Sequence, residues 1–412
     1  MPTIRRRKPS VVFFENRMNG VEWYRSRQPM SMLSKAGWKV TALPPLLKLK
    51  DAGAEAMAML TQSDIIYAAS PTPIYLTALQ TVKDLDSTAI DMGGTDINPQ
   101  KLIFDYDDNN FAIPPYNPSY LFYGINNAKI KDPVSGKDYW QFEEGKQYWY
   151  NNGEETIPVK FDTKRNMSNL DAIQKFLQMG DALTTTTQHL ANELTRVKGA
   201  SKLELSPFHI VPNAVDSDLF HPYTGPKDSS IIKIVWTVSS SHIIDFNKIK
   251  PFIGLLMRKY KNVHLHLIGD QFPTNRDIPL SRFHVHTWMN SVPQYAAELS
   301  GFQADVGITW VNDTEFNRNK SPLKAAEYMA CGIPVCGAKT VYGEHLHPGE
   351  DCLLSATPEE FQDNLERLIL DAELRRKLVE GGDNTYSTTY STAAVLPKLE
   401  RAFYSAITKE MQ

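Results

Sequence analysis

The stretch NRNKSPLKAAEYMACGIPVCG, residues 317–337, reads as a short helix running into a strand. Ser321 is a good N-cap, and Pro322 suits the first helical position, where its missing N–H costs nothing. A helix starting there would aim free N–H groups and the positive end of its dipole at whatever lies before Ser321, a ready site for phosphate. Leu323, Ala326 and Ala330 fall on one side for packing, while Ser321, Lys324 and Glu327 or Tyr328 fall on another. Gly332 can end the helix in a left-handed cap, with a strand from Pro334.

Lys and Glu at this spacing also describe a solvated face or a surface ion pair. Position argues for more. The helix follows the strand ADVGITW (304–310), and parallel sheets bind ligands outside the carboxyl ends of their strands. Another strand of the same half ends in TVSSSHIIDF (237–246), where Ser240 and His242 are candidate diphosphate donors.

Outward from this unit, short apolar runs alternate with helix-period segments, the signature of parallel sheets covered by helices. The first half gives SVVFF (10–14), KVTAL (39–43), DIIYAAS (64–70), KLIFDYDD (101–108), DALTTTT (181–187) and FHIVPN (208–213). The linker LFHPYTGPKDSS (219–230) precedes IIKIVWTVS (231–239), VHLHLIGD (263–270), FHVHTW (283–288), ADVGITW, IPVCGA (333–338) and DCLLSA (351–356). The expected division is a first α/β domain over 1–220, a second over 221–390, and a C-terminal helix over 391–412 that can cross back to the first. From about 120 to 166 the rhythm breaks into aromatic runs separated by turn signals, which reads as a hairpin insertion.

A chain of 412 residues supports two cores. No apolar run approaches the roughly 18–20 residues needed to span a bilayer, so no membrane insertion is expected. At the start, only about four apolar residues follow the basic cluster of MPTIRRRKPSVVFF, too few for a secretory signal. Three cysteines without a Cys-x-x-Cys pair favour a reducing cytoplasm. The formal net charge of −3 supplies no overall drive toward nucleic acid.

The run SPLKAAEYMACGIPV, followed by YGEHLHPGEDCLLSATPEEFQDNLERLILDAELRRKL, resembles the nucleotide-sugar domain of retaining glycosyltransferases of family four. NGVEWYRSRQPMSMLSKAGWKVTAL resembles that family's glycine loop, first helix and second strand, and GDALTTTTQHLANEL and HIVPNAVDSDLFHP its last strand, helix and crossover. The resemblance implies a GT-B architecture, two Rossmann-like domains facing each other across a cleft. It also implies transfer from a nucleotide sugar, a UDP-sugar favoured, by a hexosyl- or pentosyltransferase needing no other cofactor and no metal. By this resemblance Glu327 binds the donor ribose, its carboxylate accepting from both hydroxyls, and Gly20 lets the backbone approach the donor phosphates.

Two departures stand out. Asn319 occupies the position of the family's second Glu, near the sugar hydroxyls, and the strand-end Arg and following Lys that neutralise the diphosphate are missing from WTVSSSHIIDF. Lys320, Lys324 and the helix start at Ser321 are the remaining candidates for that charge. The Ser-rich strand end with NKSPLK resembles a divergent branch that includes many bacteriophage enzymes, which would place the protein in a host cytoplasm and add a modified DNA base to glycan and protein as acceptors.

In IFDYDDNN, the carboxylates Asp105, Asp107 and Asp108 admit three readings: an acceptor-side base or hydrogen-bonding site, a cation site, or a solvated turn. Asp107 and Asp108 are taken as acceptor-side groups. His264 with His266, and His284 with His286, each alternate on a strand, but no Cys or carboxylate in the sequence completes a metal set, so ordinary strand partners are expected. The aromatic insertion can line an acceptor site or pack its own small core. Two rival functions share the scaffold: a non-catalytic nucleotide- or carbohydrate-binding protein, and a nucleotide-sugar epimerase.

Overall fold

The structure, a computed structural model, describes residues 8–14, 20–43, 53–73, 75–76, 79–84, 100–131, 138–151, 156–198, 208–226, 228–272, 274, 277–287, 289 and 291–408. All twelve strand runs form strands. The first sheet has β1 (Ser10–Phe14), β2 (Lys39–Leu43), β3 (Ile65–Ala69), β4 (Lys101–Tyr106), β9 (Ala182–Thr185) and β10 (Phe208–Ile210), in the order β10-β9-β4-β3-β1-β2. The second has β11 (Ile232–Val238), β12 (Val263–Gly269), β13 (Phe283–Thr287), β14 (Val306–Thr309), β15 (Val335–Ala338) and β16 (Cys352–Ser355), in the order β13-β12-β11-β14-β15-β16. Every pairing in both is parallel. Both faces are covered over the central strands, which is why β1, β3 and β14 are near-continuous apolar runs, whereas β12 and the edge strand β13 alternate.

Each sheet carries its own core. Trp236, Leu265, Ile308 and Tyr328 are buried in the second. Two apolar clusters cover opposite faces of the first, and one is completed by Val395, Leu399, Ala402, Phe403 and Ala406 of the final helix, Thr392–Thr408. That helix therefore packs on the first sheet although it leaves the chain after the second.

The insertion is not one hairpin but two: β5 (Ala128–Lys131) with β6 (Asp138–Phe142), and β7 (Gln147–Asn151) with β8 (Thr156–Lys160). The expected Glu144-Gly145 turn links the two, with Gly145 at φ +78°; Ser135-Gly136 lies outside the described residues. Tyr120, Phe142 and Phe161 pack into a small core, which also takes in Phe316 of the second half.

The helix read from residues 317–337 spans Leu323–Ala330, one residue later than expected. Ser321 does not cap it. Its Oγ instead accepts from Asn213 Nδ2 of the first domain at 3.0 Å, and Pro322 stands at the cap without a side-chain bond. Gly332 closes the helix at φ +66°, as read from the sequence. Gly307 of β14 is required by packing, since a Cβ there would stand 2.4 Å from the Tyr328 ring of this helix.

Candidate active site

In the second sheet the strand order reverses between β11 and β14, where doubly wound folds bind ligands. A cavity of about 180 Å³ lies there. Its walls include Trp236, His242, Thr309, Trp310, Lys320, Ser321 and Lys324 from the second half and Asp107, Asp108 and Asn213 from the first. Six sequence candidates (Asp107, Asp108, His242, Lys320, Ser321 and Lys324) thus meet around one space. Gly20, Asn319 and Glu327 do not line it, and the Ser240 side chain is outside the described residues.

Lys324, the first charged residue of its helix, lies with Nζ 2.8 Å from His242 Nε2. A protonated Lys324 requires that nitrogen to accept, so the ring carries its proton on Nδ1 and donates to Asp245 Oδ2 at 2.9 Å. Asp245 Oδ1 in turn accepts from the Asn312 backbone at 2.8 Å. Both His242 nitrogens are engaged in this chain, so His242 aims Lys324 rather than offering a free donor of its own. Burial and the neighbouring Lys320 push Lys324 down to about 8, while burial and both lysines hold His242 well below the usual imidazole range. Burial raises Asp245 to about 7.

Lys320 Nζ sits 4.9 Å above the centre of the Phe316 ring, a cation–π contact. Because Phe316 is buried in the insertion's core, the aromatic insertion supports this lysine from below.

Opposite the lysines, Asp107 Oδ1 accepts from Ser70 Oγ at 3.2 Å. Burial, then Asp108 and Asp105, push Asp107 up to about 7. Asp105 takes no part in the cavity. It is fully buried, held by Arg25 through Nε at 2.8 Å and Nη2 at 2.5 Å and by Thr184 Oγ1 at 2.5 Å. Arg25 Nη1 also donates to Val211 O and to Asn213 Oδ1, whose amide holds Ser321. A buried ion pair in the first domain thereby positions the turn before the lysine helix.

Glu327 is 4% exposed, and both its oxygens are taken: Oε1 accepts from Tyr24 of the first domain at 2.6 Å and Oε2 from Tyr295 at 2.8 Å. Burial raises its carboxyl despite those bonds. Asn319 is 1% exposed, its amide donating to the Glu315 carbonyl at 2.6 Å, with Thr187 Oγ1 donating to the Asn319 carbonyl. Gly20 opens the first helical segment, and a Cβ there would meet nothing among the described residues.

Sequence reasoning missed Tyr24, Arg25, Asn213, Asp245 and Tyr295. Tyr24 and Arg25 lie in one wide turn, in which Gln28 N bonds to Trp23 O. Such a turn often accompanies function, but nothing in WYRSR announces it.

Residues 250–401 match the family model described as glycosyl transferase-like. No curated protein matches the chain in sequence. Among solved structures, a glycosyltransferase from Rickettsia africae ESF-5 has a TM-score of 0.58 at 12% identity, covering 98% of this chain and 99% of that one. Sucrose-phosphate synthase from Thermosynechococcus elongatus has a TM-score of 0.57 at 14% identity, covering 96% and 98%. HepE from Anabaena, in complex with UDP and glucose, has a TM-score of 0.55 at 13% identity, covering 96% and 100%. The chain therefore has the GT-B fold over nearly its whole length, and its second half matches a glycosyltransferase-like family.

Proposed function

We propose that this protein transfers a sugar from a nucleotide-sugar donor to an acceptor hydroxyl with retention, and that its lysines rather than a metal carry the charge of the leaving diphosphate. The observation carrying this reading is the meeting of Lys320, Lys324 and Ser321 of one domain with Asp107 and Asp108 of the other around one cavity at the strand-order reversal. A uridine donor is favoured because a neighbour of the same fold holds UDP and glucose.

In this mechanism the acceptor oxygen attacks the anomeric carbon from the face of the departing diphosphate. The carbon–oxygen bond to phosphate breaks, and the acceptor proton passes to a phosphate oxygen. Lys324, aimed by His242 and Asp245, and Lys320, held on Phe316, meet the negative charge as it develops. Asp107 and Asp108 orient the acceptor hydroxyl. The ribose reaches Glu327 by taking the place of the Tyr24 hydroxyl, so donor binding exchanges an interdomain bond for a ligand bond. The Ser-rich strand end keeps the bacteriophage-type branch, and with it a modified DNA base, among the acceptors to be tried.

Thermal unfolding with UDP, GDP, ADP and CMP compounds and their sugars tests the donor. A ligand at about a hundred times its dissociation constant adds roughly 2.7 kcal/mol. One nucleotide should stabilise the natural protein and lose that effect in Lys324→Met and Glu327→Ala. Failure of every nucleotide overturns the reading, and release of an isomerised sugar without any acceptor supports an epimerase instead.

A further inference from the structure

Outside the cavity, the edge of the second sheet carries an arrangement that this function does not use. His266 of β12 and His284 of β13 are direct partners in the parallel register, so His264, His266, His284 and His286 all project from the same face of the two outermost strands. The imidazoles interdigitate. His264 stacks on His284 at 5.3 Å between ring centres and 1°, His284 on His266 at 4.4 Å, and His266 lies 5.4 Å from His286. His264 Nδ1 is 3.0 Å from His284 Nε2, and His266 Nδ1 is 3.1 Å from His286 Nε2.

The carboxylate missing from the sequence pattern arrives from the next helix, Val292–Gly301, where Glu298 Oε1 lies 3.1 Å from His286 Nδ1. With Glu298 accepting from Nδ1–H, His286 Nε2 presents a lone pair to His266 Nδ1–H, which leaves a lone pair on His266 Nε2. A carboxylate acting through a histidine in this way is how metal sites fix the tautomer of a ligand.

We propose that this histidine ladder binds one divalent cation of the zinc class, with His264, His266 and His284 as ligands and Glu298 acting through His286 as their support. One ligand atom from each of the three rings lies within 4.8 Å of the others. Tetrahedral zinc with bonds of about 2.0–2.1 Å needs its nitrogens about 3.4 Å apart, so a small rotation of the rings closes the set. Among the described residues, two nearby cations are both occupied: Lys233 lies over the Phe302 ring, and the Arg282 guanidinium donates to the carbonyls of Met257, Tyr260 and Val263. The rings are partly exposed, so the cation can enter from solvent. Bound there, it crosslinks the edge strand β13 to β12; this is a structural site, apart from the transfer chemistry.

The test is calorimetric titration of tag-free, chelator-treated protein with zinc, then cobalt, then magnesium. Zinc should bind with a stoichiometry near one and raise the unfolding midpoint, cobalt should give the visible absorption of a tetrahedral site, and magnesium, which prefers oxygen ligands, should give neither. Hydrogen exchange over 283–287 should slow when zinc is added. His264→Gln and His284→Gln should each abolish the midpoint rise, and Glu298→Gln should weaken binding about 10- to 100-fold. Absence of saturable zinc binding, or zinc binding unchanged in the two single histidine variants, overturns the proposal. If a variant fails to fold, hydrogen exchange on the natural protein decides the matter: zinc binding that leaves exchange over 283–287 unchanged also overturns the proposal.

Discussion

Raising the pH from 7 to 8.5 should weaken donor binding through Lys324. With its ammonium at about 8, Lys324 is roughly nine-tenths charged at pH 7 and about one-quarter charged at pH 8.5, a loss of about fourfold in the competent form. His242 is neutral throughout this range. Asp107 and Asp245, both near 7, become more negative over the same interval and weaken binding of a diphosphate in the same direction. The Lys324 contribution is therefore the difference between two profiles. Titration calorimetry with the nucleotide sugar on the natural protein and on Lys324→Met should show a pH dependence about fourfold steeper in the former. At pH 7 the variant should also bind about ten- to a hundredfold more weakly, since a hydrogen bond to a charged group is worth about 1.5–3 kcal/mol. Parallel pH profiles for the two proteins would refute the placement of the diphosphate against Lys324.

Other outcomes follow from the buried groups. Arg25→Leu leaves the buried Asp105 carboxylate without its partner and should cost about 3–5 kcal/mol in urea unfolding, with most of it restored in the double variant Arg25→Leu/Asp105→Leu. A fall below about 1 kcal/mol in the single variant argues against that account. Asp107 has a folded pKa raised from 3.8 to about 7, so its contribution to stability is full below 3.8 and lost as pH rises through 7. Asp107→Asn should accordingly raise the thermal midpoint at pH 7.5, by an amount that shrinks toward pH 4. Tyr24→Phe removes one hydroxyl from Glu327 and should cost about 1.5–3 kcal/mol of stability while tightening nucleotide binding, because the ribose no longer competes with Tyr24. Loss of both stability and affinity in that variant would separate Glu327 from the ribose.

Among the described residues no helix is long and apolar enough to cross a membrane. Cys331, Cys336 and Cys352 are free and buried.

What the sequence determined by itself was the part written in local periodicity. Twelve apolar runs and the Gly332 cap are decided by neighbours within one strand or one helical turn, so they survive reading without coordinates. Lys320, Ser321 and Lys324 were legible for the same reason: they flank one strand-to-helix turn, and sheets of this type place such turns at a ligand site. Tertiary structure alone decided who pairs with whom. Tyr24 and Glu327 are 303 residues apart, and Arg25 and Asp105 are 80 apart; neither separation leaves a periodic trace. Ser321 looked like a cap until Asn213, 108 residues away, took its hydroxyl. The histidines show the limit best. Their alternation was visible, but whether two strands bring four imidazoles to one face depends on register, and a slip of one residue would send the two pairs to opposite faces of the sheet.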